Sequence, residues 1–166
     1  MDLLDIKARI AQALVESIFR RAGFSLTPVG PRESSPRMGR EELVPDFFAI
    51  RVPPEGKPPE QPAKLVEVRY RPQVAQYLAI EGQRGLQSTF AHAKRQWPGL
   101  MFVFVTDHPE AGRSTFQVLD LEPWSAGDPV LAIDLFNHAG LDIYRQNVAE
   151  HEELARRIFT LLTGSF

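Results

Sequence analysis

Asp46, preceded by Pro45, is followed about twenty residues later by Glu67-Val68-Arg69, and strand-like sequence surrounds each group. Two acidic side chains brought together on neighbouring strands can hold a hard divalent cation. A cation two positions after the second acid then shares its strand face, because side chains alternate with period 2. Such a constellation suits metal-assisted cleavage of a phosphodiester bond. Arg69 stands where that chemistry would ordinarily favour lysine.

The elements that must position these residues can be read along the chain. Residues 2–22 carry a helical stripe, Leu3, Ile6, Ile10, Leu14 and Ile18, with Arg20 and Arg21 in the last turn and Gly23 as the stop. Residues 24–29 read as a short strand, and residues 30–40 have the composition of a mobile loop. Residues 43–52 are apolar on both sides (Val44, Phe47, Phe48, Ala49, Ile50), which predicts a central strand. The proline-rich stretch 53–62 must be a surface connection. Residues 64–71 then alternate cleanly, Val66, Val68 and Tyr70 against Glu67, Arg69 and Arg71, so that the two strands form a hairpin.

Residues 82–97 are expected to be one helix with Leu86, Phe90, Ala93 and Trp97 on its apolar face, ended by Pro98-Gly99. The run Leu100-Met101-Phe102-Val103-Phe104-Val105-Thr106 predicts a buried parallel strand. Residues 115–121 form a further strand and 129–133 a last one. A helix over 142–163 has Val148, Ala155, Ile158 and Leu162 on one face and the pairs Glu152→Arg156 and Glu153→Arg157 on another. The expected class is an α/β sandwich with a mixed central sheet.

The order helix, strand, strand, strand, helix, strand, with Pro-Asp entering the second strand and Glu-x-(basic) inside the third, resembles the PD-(D/E)XK superfamily of restriction-endonuclease-like nucleases. The resemblance covers residues 8–106, and its specificity comes from both motifs falling on successive strands of one hairpin. It implies a restriction-endonuclease-like α/β/α sandwich of order αβββαβ, with residues 107–166 adding a peripheral strand and the C-terminal helix to a single domain spanning 1–166. It further implies that Asp46 and Glu67 are catalytic metal ligands, with the Val68 carbonyl as a third oxygen, for Mg²⁺ or Mn²⁺. Arg69 would stabilise charge on the phosphate, Glu16 of the first helix would reach the metal, and Gln87 would contact nucleic acid.

Arginine stays protonated at any working pH and cannot act as a general base, although it can bind phosphate in bidentate fashion. Arg69 therefore permits a slowed deoxyribonuclease, and equally a module of the same fold that lost the reaction and binds nucleic acid or a partner protein. Plainer readings stand beside these. Asp46 could cap the start of a strand, Glu67 and Arg69 could form an exposed ion pair, and Glu16 and Gln87 could be ordinary polar helix residues. Arg71, Arg84, Lys94 and Arg95 could track a phosphate backbone or simply be solvated.

Charge and composition bound the rest. The net charge of −2 argues against coating nucleic acid by bulk attraction, yet residues 1–100 carry +4 and residues 101–166 carry −6. With no cysteine, thiolate metal sites and disulfides are excluded. Acids at Asp2 and Asp5 where a signal peptide would be basic, and the lack of a long apolar run, lead to the expectation of a cytoplasmic protein without membrane contact. His92, His108, His138 and His151 are dispersed without metal-ligand spacing, His138 and His151 being expected on surface or helix faces, and no nucleophile elbow or phosphate-binding glycine loop is present. A double-strand cut would call for a homodimer, and the C-terminal helix could serve dimer or partner contacts.

Overall fold

The computed structural model describes residues 2–29 and 43–164. The expected loop at 30–40 lies outside the described residues. The first helix, α1 (Leu3–Arg21), starts where the Asp2 side chain accepts the Asp5 N–H at 2.8 Å, an N-cap bond that satisfies a donor without a partner inside the helix. It ends at Ala22, and Gly23 takes φ 96°, a conformation that costs other residues a clash at Cβ. The expected stripe is rotated: Ala11, Val15 and Phe19 join Leu14 and Ile18 as the buried seam, leaving Ile6 and Ile10 half-buried. The short side chains of Ala11 and Val15 suit a helix lying close over a sheet.

The chain then enters a six-stranded sheet whose spatial order follows its sequence order, β1 (Phe24–Pro28), β2 (Phe47–Arg51), β3 (Lys64–Tyr70), β4 (Leu100–Val105), β5 (Phe116–Asp120) and β6 (Ile133–Asp134). All neighbours are antiparallel except β3 and β4, which run parallel with Glu67 opposite Phe102 and Arg69 opposite Phe104. A parallel pair needs a crossover, supplied by α2 (Val74–Gln83) and α3 (Thr89–Gln96). The last helix is α4 (Arg145–Gly164).

Helices cover both faces of the sheet. On one, α1 and α4 pack on Phe47, Ala49, Val66, Tyr70, Met101, Val103 and Val105. On the other, α2 and α3 pack on Leu100, Phe102, Phe104 and Leu119 around Phe90, whose ring meets Phe102 edge-on at 5.0 Å. β4 is buried along its whole length, as its unbroken apolar sequence requires. Each large side chain enclosed this way contributes about 2–3 kcal/mol.

Three expectations change. The single helix over 82–97 is two helices joined by a 3₁₀ turn at Gly85–Gln87, because Gly85 takes φ 54° and Ser88 begins a new helix by accepting the Ala91 N–H at 3.0 Å. Leu86 therefore sits on the turn, 66% exposed, rather than beside Phe90. Strand β2 is shorter than residues 43–52, since the chain bends at Asp46. On α4, Glu153 takes both Arg156 and Arg157, while Glu152 turns inward to the Ser114 hydroxyl and the Thr115 N–H.

Candidate active site

Asp46 lies at the bend where the chain enters β2. Its own N–H still reaches the Val66 carbonyl at 2.9 Å, so the main chain is in register with β3. Its carbonyl, however, accepts from Val29, and its carboxylate takes the Val68 N–H at 2.7 Å in place of a ladder partner. That bond draws the side chain across onto β3. Glu67, one residue earlier on β3 and buried, stands opposite Asp46 in the strand register and favours its ionised form.

Period-2 alternation puts Arg69 on the same face as Glu67, and its Nε donates to Glu67 Oε1 at 3.2 Å. The guanidinium lies over the Phe102 ring of the neighbouring strand at 5.7 Å. Asp46, distant in sequence, thus forms one cluster with Glu67 and Arg69.

The electrostatics of the cluster are unsettled. Burial pushes the Asp46 carboxyl above the usual aspartate range, and the negative charge of Glu16 adds to it. The Val68 N–H, the charge of Arg69 and Glu67 act the other way without cancelling the shift. Burial, not a lack of neighbours, is the main cost to its charge.

The other predicted residues are distributed around this centre. Glu16 is close enough to be felt by Asp46, but its own contacts are along α1, Gln12 at 3.5 Å and Arg20 at 3.8 Å. Among the described residues no group of three or more Asp, Glu or His side chains is gathered so as to hold a metal ion. Arg71 turns to the Tyr70 carbonyl and lies over the Tyr77 ring at 4.4 Å. Arg84 pairs with Glu81 at 3.1 Å, and Lys94 donates to the carbonyls of Glu122 and Trp124. Arg95 meets His92 on the exposed side of α3. Gln87 is exposed on the 3₁₀ turn, not on a helix. His138 pairs with Asp120 at 3.0 Å, and His151, on the inward side of α4, with Ser17 at 2.8 Å.

A second polar cluster had no counterpart in the sequence reading. Lys7 of α1 reaches Asp107 at 2.6 Å and the Tyr70 hydroxyl at 3.1 Å, and Tyr70 donates to Asp107 at 2.7 Å. Lys7 and Asp107 side chains are only 9% and 7% exposed. Burial and the Asp107 bond push the Tyr70 hydroxyl up to about 12. Burial alone would raise Asp107, yet the bonds from Lys7 and Tyr70 hold it below the usual range. The one clue in the sequence was a lysine beside the apolar stripe of α1.

A cavity of about 280 Å³ opens past the C-terminal ends of β3 and β4, lined by Gln73, Val74, Thr106, His108, Arg113 and Gln117 among others. None of the predicted site residues lines it. No helix is long and apolar enough to cross a membrane among the described residues. Comparison with protein-family models, with curated proteins and with solved structures finds no match, so Asp46, Glu67 and Arg69 are interpreted from their own geometry.

Proposed function

We propose that this chain is a metal-dependent nuclease-type domain that hydrolyses phosphodiester bonds in DNA on a restriction-endonuclease-like α/β/α sandwich. The observation that carries the reading is the Asp46 carboxylate held across the strand gap by the Val68 N–H, opposite Glu67 in register and with Arg69 bonded to Glu67 alongside. Burial disfavours the charge on Asp46, and a cation would offset that cost.

Mg²⁺ or Mn²⁺ suits the all-oxygen donor set of Asp46 and Glu67, and when bound would polarise the phosphate and activate water. Asp46 and Glu67, opposed by the strand register, would hold that ion. Arg69 supplies a guanidinium, able to grip two phosphate oxygens as their negative charge grows and unable to accept a proton. The proton of the attacking water must leave to solvent or to the phosphate. Glu16, on α1, bears on the charge of Asp46 and stands as the further candidate ligand.

A second reading, a non-catalytic module of the same fold that binds nucleic acid or a protein, is favoured by one observation. Arg69 is already engaged with Glu67. Cleavage of plasmid and single-stranded DNA with Mg²⁺ and Mn²⁺, wild type beside Asp46→Ala, separates the two. Nicking that falls by about a hundredfold or more in the variant supports the nuclease. No metal-dependent cleavage by the wild type rejects it.

A further inference from the structure

Two guanidiniums stand two residues apart, Arg69 on β3 and Arg71 just past its end, and they are spent differently. Arg71 is turned to a main-chain carbonyl and a tyrosine ring, Tyr70 O at 2.7 Å and the Tyr77 centroid at 4.4 Å. Arg69 is committed to the acidic pair. Its Nε bonds Glu67 Oε1 at 3.2 Å, its charge bears on Asp46, and the Phe102 ring beneath it keeps it in place. Its side chain is 25% exposed, so it has solvent to move into.

We propose that Arg69 is a tethered counter-cation of the Asp46–Glu67 pair, which a divalent metal ion must displace, and that displacement frees the guanidinium for the phosphate. The idea rests on the metal-site reading above and adds how that site is loaded. A lysine in such a position can vacate it by losing its proton, since an ammonium shifts its pKa readily; a guanidinium cannot. Release must come from a stronger cation for Glu67 or a competing anion for Arg69. Metal and phosphate therefore help each other bind, and linkage requires the help to be mutual. The resting site is weak for metal, and tightens only when both partners arrive.

The test is calorimetric titration with Mn²⁺ alone, without nucleic acid, of the wild type, Arg69→Met and Arg71→Met. Methionine keeps an apolar stem over Phe102 and removes the charge. Arg69→Met is expected to bind Mn²⁺ about tenfold more tightly than the wild type, and Arg71→Met to stay within about threefold. Arg69→Lys, a more mobile and more strongly hydrated cation, falls between wild type and Arg69→Met, and serves if the Met variant does not fold. Equal gains in Arg69→Met and Arg71→Met would reduce the effect to general charge and overturn the proposal. An unchanged affinity in Arg69→Met, with the wild type binding, would overturn it and leave the metal site standing. Absence of Mn²⁺ binding in every variant would remove the metal site and the proposal together.

Discussion

Strand β3 contributes Glu67 to one acidic cluster and Tyr70 to another, three residues further along and on the opposite face of the sheet. Around Tyr70, every charge has an answer. Asp107 receives Lys7 and the tyrosine hydroxyl, and Lys7 is raised despite its burial by those same two partners. Around Glu67, burial and the charge of Glu16 raise the Asp46 carboxyl instead of lowering it. Both sites bury an aspartate, and the partners decide the sign. Paired charge supports the fold, whereas a buried carboxyl raised by its surroundings costs stability at neutral pH.

The sharpest way to break this contrast is Lys7→Met. It leaves Asp107 enclosed with half its support, and a loss of about 3 kcal/mol is expected by denaturant titration at pH 7. Asp107 sits low in the folded state, so its contribution is complete above the ordinary aspartate range and fades as pH falls through the folded value. The cost of Lys7→Met must therefore shrink in acid. A loss that is small or independent of pH would show that the Lys7 cluster is not the settled partner in the comparison.

Asp46→Asn should act in the opposite direction. A raised carboxyl favours folding only below the ordinary aspartate value, and that benefit is lost as pH rises through the folded one. At pH 7 the variant is expected to be more stable by about 1 kcal/mol, or roughly 2–4 °C in melting temperature, and the gap should close near pH 4. Mn²⁺ should raise the melting temperature of the wild type and not of the variant. A destabilised Asp46→Asn would mean that the aspartate is a structural cap after all.

Glu16→Gln gives the smallest effect. It removes one charge that burdens Asp46, so stability at pH 7 should rise by only a few tenths of a kcal/mol, read by the same titration. Mn²⁺ affinity should fall by about threefold. A loss of binding as complete as that in Asp46→Asn would make Glu16 a direct ligand.

Much of the frame was legible because it depends on short-range pattern. The apolar run at 100–105, the alternation at 64–70 and the Asp2 and Gly23 boundaries of α1 each answer to local rules. The crossover between β3 and β4 was misread where local rules compete. Helical spacing runs through residues 82–97, yet Gly85 and Ser88 permit a turn there. Residues 74–81, which carry no charged stripe to mark them, became helix by packing Val74 and Leu78 under the sheet.

The pairing of Asp46 with Glu67 could be anticipated from the sequence, because a hairpin register and a two-residue period leave little choice about which side chains meet. The neighbourhood of Lys7 could not. Its partners lie 63 and 100 residues away, and only the docking of α1 against the ends of β3 and β4 brings them together. The same holds for Glu152, which the helix surface offers to Arg156 and the sheet claims for Ser114. Sequence determines which residues share a face, since that follows from backbone geometry over a few bonds. Which buried charges meet which partners was decided by tertiary structure, because electrostatic balance depends on groups that meet only when the layers close.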